Sequence, residues 1–553
     1  MFGTKLLVAL LFAELANLSS QDEQVPKVET ALGSISGYYK TSRIGKRYEA
    51  YEGIPFAEPP VGELRFEPPK PARKWEHELS AKKRSPSCAQ YFIDLARNTD
   101  RVMGSEDCLY MNIYVSARND NETRLPVMFW IHGGAFQFGS GNEVDERRLM
   151  DRSIILVTFN YRLGPLGFLS TEDGVVPGNM GLKDQSMALR WVRNNIESFG
   201  GNPKEITIFG LSSGAVSVHY HYLSPLSAGL FQRGISISGV ALNPRSLTKR
   251  GLEKAKKLAA LVECPTDATP KMISCLKELP LTTLLEAVSK FKVWLHNPAT
   301  PFGPVVEKNA STPFITRSPF EIISTGAVQD VPWITGTVSE EGLFNSIEFI
   351  GNDTLLKELN DNWNDIAPNL LSYNDTIPLD QHDQVSEKIR RHYFGSKEID
   401  KNEVITLIHM MRDRSYAVGV QKAVKLQAKV NKSPVWSYYY TYESKYNRDM
   451  WMAKFHRNLG VGHSDDVDLV IEKNTANITN PEDLLMQKLL IDLYTSFAFE
   501  GKPLANYTDW RPQNSNATDY QYLHIVNPMY LRMESSVNFA QNTFWGTIDF
   551  DEN

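Results

Sequence analysis

The residues best able to do chemistry converge on the stretch from Glu205 to Leu223, EITIFGLSSGAVSVHYHYL. Ile206, Thr207, Ile208 and Phe209 favour a β-strand. Gly210-Leu211-Ser212-Ser213-Gly214 then makes a tight turn, and the residues up to Leu223 contain no Gly or Pro and suit a helix. A serine at the apex of strand, turn and helix is held in a strained backbone conformation with its hydroxyl pushed outward. The flanking glycines are required because Cβ atoms there would meet the neighbouring strand and helix. Ser212 therefore reads as a nucleophile. The same five residues also occur as a plain turn inside a βα unit, so the reading stands or falls with the partners found for the serine.

Nucleophilic acyl chemistry needs donors for a developing oxyanion, a base, and an acid to orient the base. His132-Gly133-Gly134-Ala135-Phe136 directly follows the apolar run Val127 to Ile131, where a glycine-rich turn lets consecutive backbone N–H groups point into a cleft. In chains built around such a serine turn, the acid and then the histidine follow it, each at the end of a later strand. His132 precedes the serine, and His219 and His221 lie on the helix behind it and read as packing residues. His463 sits in the glycine-flanked loop Gly460-Val461-Gly462-His463-Ser464-Asp465-Asp466 and is the preferred base, with His456 second. For the acid, the strand Val331 to Gly336 exits into Ser339-Glu340-Glu341-Gly342, and either glutamate can serve.

The elements that must hold these loops are legible as apolar runs. Val127 to Ile131, Ile154 to Phe159 and Gly234 to Ser238 read as strands buried on both faces, and Val435 to Tyr442 as an aromatic strand. Residues 182–197 place Ala188, Trp191, Val192 and Ile196 at helical spacing, and Gly200-Gly201-Asn202-Pro203 stops that helix. Strands alternating with helices imply a parallel sheet covered on both faces. Before it, Tyr51-Glu52-Gly53-Ile54-Pro55-Phe56 and the prolines at 59, 60, 68, 69 and 71 read as irregular, wrapped chain. At 553 residues one large domain with insertions is allowed. The net charge of -6 is spread over both signs, and the absence of a basic block excludes nucleic acid as a partner.

Lys5, the apolar run Leu6 to Ala13 and the small polar residues after it have the layout of a secretory signal peptide, too short to span a bilayer, with cleavage near Ser19 or Ser20. Glycosylation acceptor patterns stand at Asn121, Asn309, Asn352, Asn374, Asn477, Asn506 and Asn516; that at Asn431 is compromised by Pro434. The four cysteines allow three connectivities. The sequence-local one, Cys88 with Cys108 and Cys264 with Cys275, is preferred, each bridge contributing about 2 to 4 kcal/mol in an oxidising compartment. The C-terminus FWGTIDFDEN shows neither a retention tetrapeptide nor a long apolar tail, so secretion into the extracellular space without a membrane anchor is expected.

With these residues assembled, the chain resembles the type-B carboxylesterases, the family that includes the cholinesterases, and is most similar to insect secreted carboxylesterases. The match rests on YEGIPFAEPP from Tyr51, SEDCLYMNIY from Ser105, WIHGGAFQFG from Trp130, NYRLGPLGFLS from Asn160, GNMGLKDQSMALRWVRNNIESFGGNP from Gly178, GLSSGAVSVHYHYLSP from Gly210 and GVGHSDD from Gly460. The resemblance implies an α/β-hydrolase fold, with a central, mostly parallel sheet, helices on both faces and large insertions. It spans 21–553 as a single domain after a signal peptide over 1–20. It implies Ser212 as nucleophile, Glu341 as acid, His463 as base, and the N–H groups of Gly134, Ala135 and Ser213 as oxyanion donors. Both local cysteine pairs fit the family's pattern.

Three positions depart from it. Ala135 adds a methyl where many relatives have a third glycine, Ser213 replaces the usual alanine, and Leu211 stands where cholinesterases carry a glutamate. The implied activity is hydrolysis of carboxylic esters of small apolar, uncharged molecules through an acyl-enzyme, with no metal or organic cofactor. The alternatives are a slow scavenger of toxic esters and a non-enzymatic adhesion protein on the same fold.

Overall fold

The runs read as strands lie in the middle of an 11-stranded sheet. In chain order its strands are β1 (Tyr38–Thr41), β2 (Arg47–Pro55), β3 (Tyr110–Ser116), β4 (Leu125–Ile131), β5 (Ile155–Phe159), β6 (Gly201–Leu211), β7 (Arg233–Ile237), β8 (Trp333–Val338), β9 (Val435–Tyr440), β10 (Tyr520–Asn527) and β11 (Tyr530–Ser536). Their spatial order is β11-β10-β9-β8-β7-β6-β4-β5-β3-β2-β1. Pairing is parallel from β5 through β4, β6, β7, β8 and β9 to β10, and antiparallel at both margins. The molecule is seen in a computed structural model that describes residues 25–94, 99–117, 124–471, 478–505 and 508–552. The segment read as a signal peptide, and Asn121, Asn477 and Asn506, lie outside the described residues.

Helices cover both faces because the strands alternate between two apolar cores. Val127, Phe129 and Ile131 of β4 pack with α1 (Met180–Asn195), α2 (Ser213–Leu223) and α4 (Val418–Val430). Met128 and Trp130, on the opposite face, pack with α5 (Pro481–Glu500). Each such fully buried aliphatic or aromatic side chain contributes about 1.5 to 3 kcal/mol of transfer free energy. A third core lies among the inserted helices between Leu343 and Leu459 and includes α3 (Val404–Arg412). Between α3 and α4 the chain makes a π-turn, Asp413–Ala417. Among the described residues, no helix is long and apolar enough to cross a membrane.

The segment Tyr51 to Phe56 is not irregular chain. Up to Pro55 it is the end of β2, a nine-residue strand paired to β3. What disguises it is a bulge between Glu52 and Ile54: Gly53 has φ 81°, and its N–H donates to Asn112 Oδ1 at 3.1 Å instead of to the ladder. A glycine that looked like the end of an element marks a kink within one. The two disulfides join Cys88 to Cys108 and Cys264 to Cys275, at sequence separations of 20 and 11. Asn309, Asn352 and Asn516 are exposed and Asn374 is partly buried, whereas Asn431 buries its Nδ2, the atom a glycan would need.

Candidate active site

The sheet delivers the chemistry at its C-terminal edge. Ser212 joins β6 to α2 with φ 58° and ψ −123°, a conformation that costs on the order of 1 to 3 kcal/mol and persists only where the surroundings enforce it. They do so through close approach. A Cβ on Gly214 would lie 2.1 Å from the Ile131 carbonyl oxygen. One on Gly133 would lie 3.1 Å from the Cβ of Ser212 and 2.8 Å from the Leu211 oxygen, so the glycine loop after β4 and the serine turn after β6 can be neighbours only because both lack side chains at these points.

The two glutamates after β8 separate cleanly. Glu341 is fully buried; its Oε1 accepts from the Val338 N–H at 3.0 Å and its Oε2 accepts from His463 Nδ1–H at 2.5 Å. Glu340 turns the other way. Its Oε2 accepts from the Val461 N–H at 2.8 Å and from Ser339 Oγ, and its own N–H donates to the Val461 oxygen at 2.9 Å, so it fastens the loop that carries His463. Burial works to raise the Glu340 pKa, and the hydrogen bonds from His409, Ser339 and Val461 outweigh it and leave the carboxyl below its ordinary value.

The His463 side chain is only 4% exposed, so the Glu341 contact holds its ring with Nε2 buried and without a hydrogen-bond partner. The ring is caged by Phe344, centroids 5.2 Å apart, and by Tyr416 on the π-turn, 4.9 Å apart. Both cage residues line the pocket that Ser212, Ser213 and Ala135 also line.

The four other histidines weighed from the sequence have structural settings of their own. His132 stacks on Tyr161 and is pushed down to about 4 by burial, so it stays neutral. His219 stacks on Trp333 and faces Gln427, and His221 sits between Ser227 and Gln185; burial lowers them to about 4 and about 3. His456 is an exposed residue at the end of the helix Lys445–Phe455.

In the glycine loop, Gly134, Ala135 and Phe136 all have positive φ (109°, 53° and 61°). Among the described residues no protein acceptor takes the N–H of Gly134 or Ala135. The N–H of Ser213 opens α2, where the first turn has no intrahelical acceptor. Ala135 lines the pocket beside Ser212 and Ser213. Behind the loop, Arg162 forks onto Asp184 at 2.7 and 2.8 Å, both nearly fully buried, and the Gly164 N–H donates to the Phe136 oxygen at 2.7 Å.

Several parts of the site escaped sequence reasoning. Tyr416 and Phe344 carry no local signal. Asp465 and Asp466 stand in full view after His463, yet only the structure shows them buried: Asp465 accepts from the Gly462 N–H at 2.7 Å, Asp466 from Tyr438 Oη–H at 2.9 Å. Burial raises both carboxyls, Asp466 to about 6. Arg245 also reaches the pocket that holds Ser212, from a loop after β7.

The chain matches the model of the carboxylesterase family over residues 24–545. It is 57% identical over 549 residues to a carboxylic ester hydrolase of Bombus ignitus, covering 99% of this chain and 98% of the other. It is 56% identical over 554 residues to venom carboxylesterase-6 of Apis mellifera, covering all of both, and 35% identical over 561 residues to a juvenile hormone esterase of Tribolium castaneum, covering 96% and 94%. The crystal structure of juvenile hormone esterase from Manduca sexta with OTFP covalently attached aligns with a TM-score of 0.81 at 27% identity, over 95% of this chain and 99% of that one.

Proposed function

The chain belongs to the carboxylesterase family and is a carboxylic ester hydrolase of α/β-hydrolase fold, and from that premise we propose that Ser212, Glu341 and His463 carry the reaction. The observation that supports this assignment is the buried Glu341–His463 contact at 2.5 Å. It leaves His463 Nε2 unpartnered, within a cage of Phe344 and Tyr416 that opens on Ser212.

In this reading Nε2 takes the proton as Ser212 Oγ attacks the ester carbonyl. The N–H groups of Gly134, Ala135 and Ser213 receive the oxyanion, and His463 returns the proton to the departing alcohol. Water then cleaves the acyl-enzyme by the same route. Glu341 fixes the imidazole tautomer and stabilises the imidazolium. Ser212→Ala is expected to abolish labelling by a fluorophosphonate and to lower ester hydrolysis by several orders of magnitude. Persistent labelling would assign the nucleophile elsewhere.

Small neutral esters are the expected substrates. Leu211, half-buried against the core, supplies neither charge nor a π-face for a quaternary ammonium, which disfavours choline esters. The names of the relatives make a juvenile hormone one substrate to assay beside p-nitrophenyl esters of graded acyl length. The leader, the exposed acceptors Asn309, Asn352 and Asn516 and the two bridges support secretion of residues 21–553 as a single glycosylated domain. Mass spectrometry of the mature protein checks this; an intact leader with unmodified asparagines would reverse it.

A further inference from the structure

The pocket beside Ser212 is not a purely apolar slot. Phe136, Val216 and Phe344 share its wall with Ser213, Ser238 and Arg245. Ser238 is fully buried at φ 57°, and among the described residues its hydroxyl has no hydrogen-bond partner, whereas the buried Ser213 hydroxyl meets Tyr161. Arg245 is partly buried, with its guanidinium carbon 5.7 Å from the ring centroid of Tyr416, the ring that cages His463. Its side chain also hydrogen-bonds that of Tyr416, and among the described residues no carboxylate pairs with it. A buried hydroxyl without a partner is costly unless something supplies an acceptor. All three groups can donate. Among the described residues Ser238 lacks an acceptor and Arg245 a counter-ion, and a guanidinium that shares a pocket with a free hydroxyl suits a carboxylate.

A second cleft that shares Arg245 and Thr300 with this pocket has the same character. Its volume is about 300 Å³, and its walls carry Lys249, Arg250, Lys254 and Lys257 against Glu253 and Asp375. Lys254 pairs with Asp375 at 2.8 Å, and Lys249 pairs with Asp551 at 3.1 Å. Arg250 and Lys257 are left over, the latter over the ring of Phe291 at 4.7 Å. In a chain with net charge -6, this adjoining cleft is locally basic, and a charged cleft with low-dielectric walls concentrates ions of the opposite sign.

We propose that Arg245 is a specificity-determining residue that receives a carboxylate on the substrate, so that the enzyme hydrolyses half-esters of dicarboxylic acids in addition to neutral esters. The proposal rests on Ser212 being the nucleophile of this pocket. The carboxylate takes no part in bond breaking; it anchors the substrate, and the ester is cleaved as described above, releasing the diacid and the alcohol.

The test compares two p-nitrophenyl esters of equal acyl length, one ending in a methyl and one in a carboxylate, with wild type, Arg245→Met and Arg245→Lys. The readout is the ratio of kcat/KM for the carboxylate ester to that for the methyl ester. Arg245→Met is expected to lower this ratio about tenfold or more, chiefly through KM, and Arg245→Lys to recover part of it. In the wild type alone, the ratio is expected to fall as salt is raised, which keeps the test alive if a variant misfolds; fluorophosphonate labelling reports whether each variant retains a formed site. An unchanged ratio in a labelled Arg245→Met enzyme overturns the proposal. So does an equal loss on both esters, which would make Arg245 a support for Tyr416 and His463 only, or a wild-type ratio indifferent to salt. A wild type inactive on both esters would instead refute the role of Ser212 on which the proposal rests.

Discussion

Replacing Asp466 by asparagine is expected to stabilise the protein at neutral pH, although the residue lies three positions from His463. Its carboxyl is fully buried, accepts one hydrogen bond from Tyr438 at 2.9 Å, and leaves Oδ1 without a partner. Burial pushes it from the ordinary 3.8 up to about 6, with the nearby Glu341 charge acting in the same direction. Between these two values the folded protein keeps a proton that the unfolded chain has released, so stability falls as pH rises across that window. Above about pH 6 the whole cost applies, about 3 kcal/mol at 1.36 kcal/mol per pH unit. An asparagine carries no charge to desolvate, still accepts from Tyr438, and leaves one orphaned polar atom as before. Thermal unfolding of the two proteins, scanned at one rate over a series of pH values, should show a gain of a few degrees for Asp466→Asn at pH 7. The gain should shrink through pH 6 and vanish near the ordinary carboxylate value. Asp465, buried beside it, is raised in part by the Asp466 charge, so the substitution also relieves Asp465 and adds to the gain above about pH 6. A variant that is less stable at pH 7, or a difference indifferent to pH, would refute the reasoning.

Other outcomes follow from the site. Glu341→Gln should lower kcat by on the order of a thousandfold by losing the anion that orients His463, while Glu340→Gln, whose amide oxygen still accepts from the Val461 N–H, should lose less than about tenfold; steady-state kinetics on one p-nitrophenyl ester separates them, and the reverse order would exchange their roles. His463→Ala should lower kcat/KM on the same ester by several orders of magnitude, and near-normal turnover would remove it from the site. Ala135→Gly relieves a residue held at φ 53°, worth roughly 1 kcal/mol, and removes a methyl from the pocket wall. Its activity on bulky acyl groups should rise relative to acetate, and an unchanged acyl-length profile would show that the methyl does not limit the pocket.

The sequence by itself determined the features that depend on short stretches of chain. Strand, turn and helix around Ser212, the glycine loop after β4 and the buried parallel strands are each encoded within about a dozen residues, where backbone sterics and apolar periodicity act directly. The local disulfides belong to the same class. The N-terminal margin of the sheet was misread because one bulge at Gly53 broke the alternation of β2 and made a strand resemble a loop. Adjacent glutamates offered the same chemistry, and only the pairing of Glu340 with Val461 and Gly462 turned Glu341 toward His463. Tyr416, Phe344, Arg245 and Asp466 reach the site from four separate loops and helices. Their roles arise from burial and from contacts between residues far apart in the chain, quantities that no local pattern carries and that exist only once the sheet has brought those segments together.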